Sequence, residues 1–410
     1  MKRNVNFASL STFFSATIKT KMRNYLKGLD HGNNRISQSL QTKKILQFLL
    51  QEGEKTIPEI KDFVGLSLPT TTKIVNELLE INLLQETRKR ESSGGRPPTL
   101  YGLKPDEGFI VGVELLQRSF RMSIINLSHE LIFEYQTPDF DISQKEESFD
   151  FLAKMIPQLI HQQGVPEQKI LGVGIGIAGL VNSKLGISYS YLHYAQPLVP
   201  ILSKQWSYPV FVDNDSHLMT LGEQAFGLAR NRQNVLYINL NRGLGIGVIS
   251  NGAIHCGESG FAGEFGHIHF QENDVTCVCG NKGCLETVVS GSALERQYAE
   301  QSSTDENLHY KDILKLGVNG DPFVNQLLKE MGENLGRGLS NPIQVLNPGL
   351  IILGGTFTEV GELMRYSILR GLTTYGLPQL IADAKLEVST LGEKTAMLGA
   401  YALVMENVFL

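Results

Sequence analysis

Three cysteines and one histidine lie close together in the chain, and they are the residues best suited to chemistry. His267 precedes Cys277, Cys279 and Cys284, and glycines separate the last two thiols. One imidazole and three thiolates suit a closed tetrahedral zinc site, which is structural because all four positions are filled by protein. The alternative, a set of unrelated buried thiols, is disfavoured by the tight spacing. The fourth cysteine, Cys256, is interpreted as a small buried apolar residue.

Polar groups suited to binding hydroxyls occur in three further places. Asn214 and Asp215 follow a predicted buried strand, where a carboxylate can accept the proton of a hydroxyl group. Glu264 precedes His267 by three residues, and Glu286 follows the last cysteine by two. Carboxylates, an amide and an imidazole around one pocket suit the many hydroxyls of a sugar. Any one of these groups alone is more typical of a capped turn or a surface charge than of a binding site.

A glycine-rich segment, residues 241–247, follows the predicted strand Val235–Leu240 and has the sequence Asn-Arg-Gly-Leu-Gly-Ile-Gly. Hairpins of this kind can hold phosphates on backbone amides, although such a glycine pattern is unspecific on its own. Arg242 at its tip either serves a phosphate or obstructs the site.

The front of the chain has the pattern of three short helices. Thr56 and Glu59 predict a capping box at the start of the second helix, in which Ile60, Phe63 and Val64 are expected to be buried. A tight turn leads to a third helix, which begins near Pro69. Two helices joined in this way form a helix-turn-helix, whose second helix enters the major groove of DNA. The residues of that helix expected to contact DNA are Thr70, Thr71 and Lys73.

The segment after the third helix is charged and then rich in serine, glycine and proline, which predicts a β-wing or a linker. An extended Gly-Arg-Pro sequence can place its arginine in a narrow minor groove. The alternative is a small helical packing module with a solvated charged loop. The wing residues expected to contact DNA are Arg88, Lys89, Arg90 and Arg96.

The charges separate a basic front from an acidic body. Residues 1–100 contain 16 Lys/Arg and 9 Asp/Glu, whereas the whole chain has a net charge of -5. This asymmetry favours contact between the front and a polyanion, and a basic disordered tail is the alternative. The chain has no run of about 18 apolar residues, so the sequence predicts no membrane span. The N-terminus lacks the apolar core of a signal peptide. We therefore expect a cytoplasmic protein without membrane contact.

Predicted strands and helices alternate after residue 108, as is typical of an α/β domain. The pattern predicts strands at Phe109–Leu115 and Ile170–Ile177 and a helix at Phe149–Gln162. About 300 residues is large for one hydrophobic core, so two lobes with a cleft are expected.

Together these motifs resemble the ROK family, which comprises repressors, uncharacterised reading frames and sugar kinases. The resemblance covers roughly residues 40–410, and its most specific part is G-E-F-G-H followed by C-V-C-G-N-K-G-C-L-E within residues 263–286. The sequences F-V-D-N-D, N-P-G-L-I-I-L-G-G and L-G-A-Y-A support it. The helix-turn-helix with G-R-P-P resembles the NagC/XylR-type repressors within that family.

The resemblance implies an α/β, actin-like (ribonuclease H-like), two-lobed ATPase fold preceded by an all-α/winged-helix DNA-binding domain. We expect a flexible basic arm at 1–36, a winged helix-turn-helix domain at 37–102 and a ROK sugar-binding domain at 103–410. Its first lobe is expected to comprise about 103–214 and a C-terminal helix at about 395–410, and its second lobe about 215–394.

The resemblance also implies roles for individual residues. The zinc ligands of the family correspond to His267, Cys277, Cys279 and Cys284, and His267 is expected to face the sugar with its other ring nitrogen. Asp215 matches the catalytic base of the kinases. The residues that correspond to the sugar contacts are Asn214, Asp215, Glu264, His267 and Glu286.

Both phosphate-binding hairpins depart from the kinase pattern. The kinases have Asp-x-Gly-Gly-Thr in the first hairpin, where this chain has the sequence Glu-Leu-Leu-Gln-Arg at residues 114–118. In the second hairpin Asn241 and Arg242 stand in place of Gly-Thr. The sugar loop of the family is also replaced, because residues 191–194 are Tyr-Leu-His-Tyr. ATP binding is therefore not expected, and the identity of the sugar stays open.

The sequence therefore predicts a sugar-responsive transcriptional repressor that is not an enzyme and in which Asp215 is a vestigial base. One alternative is a sugar kinase with an appended DNA-binding domain. Another is a regulator controlled by protein contact, with a vestigial cleft. The expected partners are a double-stranded operator, a sugar or phosphosugar, structural zinc, further copies of the chain as a homodimer or homotetramer, and a protein co-regulator.

Overall fold

The computed structural model describes residues 33–89, 98–137, 140–142, 145–190, 197–302 and 308–409. Its contacts divide the chain into two units. Unit 1 comprises the described parts of Met1–Gly179, Leu185–Asp213 and Ala400–Leu410, and unit 2 comprises Leu180–Lys184 and Asn214–Gly399. The predicted arm at 1–36 lies almost entirely outside the described residues, and the proposed division into arm, DNA-binding domain and two lobes stays a prediction. Among the described residues, no helix is both long and apolar enough to span a membrane.

Unit 1 begins with three helices and a two-stranded antiparallel wing. The predicted capping box is confirmed, because Glu59 N–H donates to the hydroxyl of Thr56 while Thr56 N–H donates to the Glu59 carboxylate. The prediction that Phe63 is buried is wrong, since 55% of it is exposed while it stacks on Phe48 with ring centroids 4.0 Å apart. The elements are α1 (Asn33–Glu52), α2 (Ile57–Val64), α3 (Leu68–Glu80), β1 (Leu84–Lys89) and β2 (Thr99–Leu103).

A five-stranded sheet forms the rest of unit 1, with strand order β5-β4-β3-β6-β9. Strands β3, β4 and β5 form an antiparallel meander, and β6 pairs parallel to β3. The predicted strands at Phe109–Leu115 and Ile170–Ile177 are confirmed as β3 and β6. Strand β6 is buried along its whole length. The elements are β3 (Phe109–Leu116), β4 (Ser119–Asn126), β5 (Leu131–Thr137), α4 (Lys145–Gln162), β6 (Ile170–Ile177), β7 (Val181–Asn182, in unit 2), β8 (Ile187–Ser188), α5 (Leu198–Gln205) and β9 (Val210–Asn214).

Unit 2 is built on a second five-stranded sheet, with strand order β12-β11-β10-β13-β14. Its core lies between this sheet and the packed helices α9 and α10. The elements are α6 (Asp215–Phe226), β10 (Val235–Leu240), β11 (Leu244–Ser250), β12 (Ala253–Ile254), α7 (Gly291–Gln301), α8 (Tyr310–Val318), α9 (Pro322–Leu346), β13 (Leu350–Gly354), α10 (Gly361–Tyr375), α11 (Pro378–Asp383), β14 (Lys385–Val388) and α12 (Lys394–Phe409).

Helix α12 belongs to both units, because the boundary falls between Gly399 and Ala400. Within unit 2 its first turns touch α6 directly. A Cβ atom on Gly399 would overlap the carbonyl of Leu218, and one on Gly222 would overlap the carbonyl of Thr395. The two helices therefore meet backbone to backbone, a separation that only glycine permits.

Candidate functional site

The start of α6 carries two of the residues that the sequence singled out. Asn214 caps the helix, since its side-chain oxygen accepts hydrogen bonds from the backbone N–H groups of Ser216 and His217 at 2.8 and 3.2 Å. Asp215 is the first helical residue, and its Oδ2 accepts a hydrogen bond from Nδ2 of Asn239 at 3.2 Å. The cap therefore sets the direction of the Asp215 side chain. Because the side-chain oxygen of Asn214 is used by the cap, its side-chain nitrogen is the atom that can donate to a ligand.

His217 ties this helix to the loop that carries Glu264. The imidazole is buried, and its Nε2 lies 2.9 Å from the carbonyl oxygen of Ala262. The next residue, Gly263, has a φ of 100° and is pressed against the carbonyl of Ile246, so no other residue fits there. The backbone at Gly263 is therefore fixed, and the contact between His217 and Ala262 holds the loop that carries Glu264 next to α6.

Glu264, His267 and Glu286 form one electrostatic cluster. Nε2 of His267 lies 3.7 Å from Oε2 of Glu264. Burial raises the pKa of Glu264, the imidazole of His267 lowers it, and the carboxylate of Glu286 raises it again. Burial also raises the pKa of Glu286, while a hydrogen bond of 2.9 Å from the backbone N–H of Leu244 favours its charged form. The cluster therefore offers two partly buried carboxylates and an imidazole, as the sequence indicated.

The four residues predicted to bind zinc converge. The ligand atoms of His267, Cys277, Cys279 and Cys284 all lie within 4.8 Å of one another. Nδ1 of His267 lies 3.3 Å from Sγ of Cys277, and Sγ of Cys279 lies 3.6 Å from Sγ of Cys284. Zinc–sulfur bonds of about 2.3 Å in a tetrahedron require sulfurs separated by about 3.8 Å. The geometry therefore fits a tetrahedral metal ion, with Nε2 of His267 left to face Glu264.

The chemistry of the thiols also fits a cation. Burial raises the pKa of Cys277 to about 12, so a positive charge is needed to hold it as a thiolate. The loop can close because Gly280 and Gly283 have φ values of 89° and 78°. Cys256 is half-buried and outside this group.

The second glycine hairpin is occupied by protein contacts. Oδ1 of Asn241 accepts hydrogen bonds from the backbone N–H and the hydroxyl of Thr356 at 2.8 and 2.7 Å. Nδ2 of Asn241 donates to Oδ1 of Asn239 at 2.7 Å, and Asn239 in turn donates to Asp215. A continuous chain of side chains thus runs from Asp215 to the loop after β13.

The glycines of this hairpin lie against neighbouring side chains. A Cβ atom on Gly243 would lie 2.9 Å from Oε2 of Glu286, and one on Gly245 would overlap the hydroxyl of Ser216. At the tip, the guanidinium of Arg242 lies 3.0 Å from Oε1 of Glu295 in α7. The hairpin therefore packs against Glu286 and Ser216 on one side and is paired with α7 on the other.

The first hairpin shows a similar substitution in unit 1. Glu114 of β3 stands opposite Arg121 of β4, and a guanidinium nitrogen of Arg121 lies 3.5 Å from Oε2 of Glu114. Both side chains are largely buried, with 10% and 15% exposed. The carboxylate at this hairpin thus already has a cationic partner from the protein.

The recognition helix α3 presents a different face from the one predicted. Thr71 is fully buried and its hydroxyl donates to the carbonyl of Ser67, so the prediction that Thr71 contacts DNA is wrong. Thr70 is exposed, and its hydroxyl lies 2.8 Å from that of Ser67, which caps the helix. The error has a simple cause: Thr71 shares a helical face with Ile74, Val75 and Leu78, which form the core.

The exposed face of α3 includes Lys73, as predicted, and a residue that the sequence reasoning missed. Asn76 is exposed three residues after Lys73 and so lies on the same side of the helix. Its amide can donate and accept at once, as recognition of adenine requires. The helical period counted from the buried residues could have identified it.

Several predicted residues cannot be placed. Arg88 and Lys89 lie in β1, but their side chains are outside the described residues, as are Arg90 and Arg96. The Tyr-Leu-His-Tyr segment at 191–194 is also outside them.

Comparison with known protein families and structures settles the relationship of the chain. Residues 110–407 match the ROK family, and residues 39–85 match the winged helix-turn-helix DNA-binding family. The chain belongs to the ROK family. The predicted family, fold class and DNA-binding domain are thereby confirmed.

Two ROK relatives of similar length are named as a repressor and as a transcriptional dual regulator. The xylose repressor of Bacillus spizizenii is 28% identical over 381 residues, which cover 92% of this chain and 98% of the relative. The DNA-binding transcriptional dual regulator NagC of Escherichia coli is 26% identical over 385 residues, which cover 91% and 94%.

Two solved structures that are similar to this chain are a ROK regulator and a ROK kinase. A ROK family transcriptional regulator described as a homologue of E. coli MLC has a TM-score of 0.74 and 26% identity, with 91% of this chain and 96% of that one covered. A ROK glucokinase from Streptomyces griseus, solved with glucose and AMPPNP, has a TM-score of 0.62 and 25% identity, with 72% and 98% covered.

The ROK domain also contains site residues that sequence reasoning missed. His217 and Asn239 hold Glu264 and Asp215 in place, and Thr356 anchors the second hairpin. The Asn241–Thr356 contact joins residues 115 positions apart, and no periodicity in the sequence indicates it. His217 could have been suspected, because it lies on the first turn of the helix that begins with Asp215.

Replacing one of the four predicted zinc ligands should release the metal. In Cys284→Ser, zinc measured by atomic spectroscopy should fall from about one ion per chain to near zero. The free energy of unfolding should fall by about 4 kcal/mol when free zinc is about 1,000 times its dissociation constant. Cys256→Ser is the matched control and should keep its zinc. A Cys284→Ser protein with full zinc content would contradict the assignment.

The face of α3 leads to a second prediction. Asn76→Ala should lower affinity for the preferred operator by about 1–3 kcal/mol and remove discrimination at one base pair, because a bidentate base contact is lost. Lys73→Ala should instead weaken binding to all sequences and reduce the slope of log K against log salt by about 1. Binding to duplexes substituted at each position distinguishes the two. Unchanged discrimination in Asn76→Ala would exclude this residue from base contact.

Proposed function

We propose that the chain is a sugar-responsive transcriptional repressor that binds operator DNA through α3 and the wing. A sugar or phosphosugar then binds at Asn214, Asp215, Glu264, His267 and Glu286 and releases the operator. One observation carries the proposal: the sugar-site carboxylates are held in place while protein side chains occupy both phosphate hairpins. The names of the relatives, a xylose repressor and an N-acetylglucosamine repressor, support a pentose or hexose effector.

The chemistry of the cluster suits a polyol. Each sugar hydroxyl donates one hydrogen bond and accepts others, so a binding site needs acceptors and donors together. Asp215, Glu264 and Glu286 supply acceptors, and the amide of Asn214 supplies a donor because its oxygen is used by the helix cap. Partial burial of Glu264 and Glu286 strengthens these bonds, since competing water is reduced.

The alternative of a sugar kinase is disfavoured by the two hairpins. Transfer of a phosphoryl group needs backbone amides and cations directed at the phosphates of ATP. Here Arg121 is paired with Glu114, and Arg242 is paired with Glu295. Asn241 is bonded to Thr356 where a phosphate would have to approach the hairpin. Asp215 is thus a base without a phosphoryl donor, and it serves binding alone.

A zinc ion has a positioning role in this proposal. When bound at His267, Cys277, Cys279 and Cys284, it supplies the charge that keeps three thiols ionised. These ligands bracket the loop between Glu264 and Glu286, so they set the distance between the two carboxylates. Nδ1 of His267 then serves the metal, and Nε2 faces Glu264.

The remaining partners follow from DNA binding. A homodimer, or a homotetramer built from dimers, would place two α3 helices in successive major grooves of a near-palindromic operator in the cytoplasm. A protein co-regulator that acts through the ROK domain is the second way in which such a repressor could be controlled.

The role of Asp215 can be tested by removing its charge. Asp215→Asn should weaken sugar binding by at least tenfold, because a charged acceptor is lost, while operator affinity without sugar stays within about twofold. Calorimetry with D-xylose, D-glucose, N-acetylglucosamine and its 6-phosphate measures the first effect, and operator titration measures the second. Glu258→Gln, in a different loop of the same unit, is the matched control. Wild-type sugar affinity in Asp215→Asn would remove this residue from the site.

The absence of phosphoryl transfer is tested directly. Purified wild-type protein with Mg²⁺ and ATP should show no sugar-dependent ADP release in a coupled assay with the same four sugars. A ROK glucokinase assayed in parallel supplies the positive control. Sugar-dependent turnover above about 1 s⁻¹, the low end for kinases, would favour the kinase alternative.

A further inference from the structure

A series of hydrogen bonds with a fixed direction ends at Asp215 in unit 2. The backbone N–H of Thr356 donates to Oδ1 of Asn241 at 2.8 Å. Because a backbone N–H can only donate, it holds the oxygen of Asn241 on its own side and turns the amide nitrogen towards Asn239. That nitrogen donates to Oδ1 of Asn239 at 2.7 Å, and Nδ2 of Asn239 donates to Oδ2 of Asp215 at 3.2 Å. Each amide is oriented by the one before it, so the series can end only on an acceptor.

Asp215 is thereby held as an acceptor through both of its oxygens. Its other oxygen, Oδ1, accepts a hydrogen bond from the backbone N–H of Ser216 at 2.9 Å. Neither N–H group can accept a proton in return, so the arrangement suits the ionised carboxylate, which only accepts. An ionised carboxylate has room for about four hydrogen bonds. A ligand group that faces Asp215 must therefore be a donor, such as a free hydroxyl.

The arginine at the tip of the second hairpin has a fixed counterion. The guanidinium of Arg242 lies 3.0 Å from Oε1 of Glu295. The same oxygen accepts a hydrogen bond from the backbone N–H of Tyr310 at 3.1 Å, and Nε2 of His309 lies 3.8 Å from it. The carboxylate of Glu295 is thus fixed between the hairpin and the start of α8. Much of the positive charge of Arg242 is therefore compensated before any ligand binds.

Backbone donors at the start of α7 are also bonded to this hairpin. The first N–H groups of a helix favour anions, because they have no partner inside the helix. Here the N–H of Gly291 donates to the carbonyl of Asn241 at 2.7 Å, and the N–H of Ser292 donates to the carbonyl of Arg242 at 3.0 Å. Two hairpin carbonyls therefore take the positions that the oxygens of a phosphate would need at this helix end.

We propose that the effector of the proposed sugar site is a neutral sugar and not a phosphosugar. This inference rests on the proposed function, because it concerns the ligand of the same residues. A phosphate monoester carries a charge of about −1.5 to −2 at pH 7 and offers acceptor oxygens. It would meet the carboxylates of Asp215, Glu264 and Glu286, while Arg242 and the backbone donors at the hairpin already have acceptors from the protein. A sugar hydroxyl instead supplies the donor that Asp215 requires and can accept from the side-chain nitrogen of Asn214.

Matched pairs of ligands test this choice on the wild-type chain. Calorimetry compares D-glucose with glucose 6-phosphate, N-acetylglucosamine with its 6-phosphate, and D-xylose with xylose 1-phosphate. In the pair that binds, the neutral member should bind at least about tenfold more tightly, because like charges that face each other strongly disfavour binding. A smaller preference, or tighter binding of the phosphorylated member, would overturn this inference and leave the proposed function intact. If no member of any pair binds, the proposed function fails and this inference fails with it.

Removing the charge of Asp215 tests the cause of the preference. Asp215→Asn keeps the shape of the side chain, but the neutral sugar loses a charged acceptor and the phosphosugar no longer meets a like charge. The ratio of the two dissociation constants should therefore fall by at least about fivefold. Glu258→Gln, which removes an exposed carboxylate elsewhere in unit 2, is the matched control and should leave the ratio unchanged. A wild-type ratio in Asp215→Asn would overturn the inference.

Operator titration extends the same comparison to regulation. On a duplex obtained by in vitro selection with the full chain, the neutral member of the pair should lower operator affinity by about 5- to 150-fold, the usual range of coupling between two sites. The phosphorylated member at the same concentration should leave it within about twofold, because it does not occupy the site. Release of the operator by the phosphosugar alone would overturn the inference. If the neutral sugar binds without altering operator affinity, the proposed regulation fails while the preference for a neutral ligand stands.

Discussion

The first turn of α6 is the constraint on which the rest of the site depends. A helix begins with backbone N–H groups that have no partner inside it, and leaving them unsatisfied in a buried position is costly. The side chain of Asn214 accepts hydrogen bonds from two of these N–H groups, which fixes the first turn of the helix. Asp215 then holds Asn239, and His217 holds the loop before Glu264. The proposed sugar site therefore depends on one helix cap rather than on independent loops.

The same arrangement can serve transfer or sensing, depending on what fills the phosphate hairpins. Glycines there are usually taken to admit a phosphate to the backbone. In this chain Gly243 and Gly245 instead make room for Glu286 and Ser216, which belong to the proposed sugar site or lie next to it. The hairpin has thus become a support for the binding residues. The proposed binding without transfer rests on that change, because the residue that corresponds to the kinase base is retained.

Local patterns were predictable from the sequence, and contacts between distant residues were not. The cysteine spacing identified the four converging ligand residues, and the Thr56–Glu59 capping box was confirmed because both partners lie within one turn. Apolar runs located β6 and β10, because this pattern is also local in the sequence. The prediction for Thr71 was wrong, because choosing residues near a helix start ignores which side faces the core.

The long-range part of the site follows from tertiary packing, which a single sequence does not display. Asn241 and Thr356 meet because β10 and β13 are parallel neighbours whose carboxyl ends lie side by side. Both side chains are ordinary in type, and only the topology brings them together.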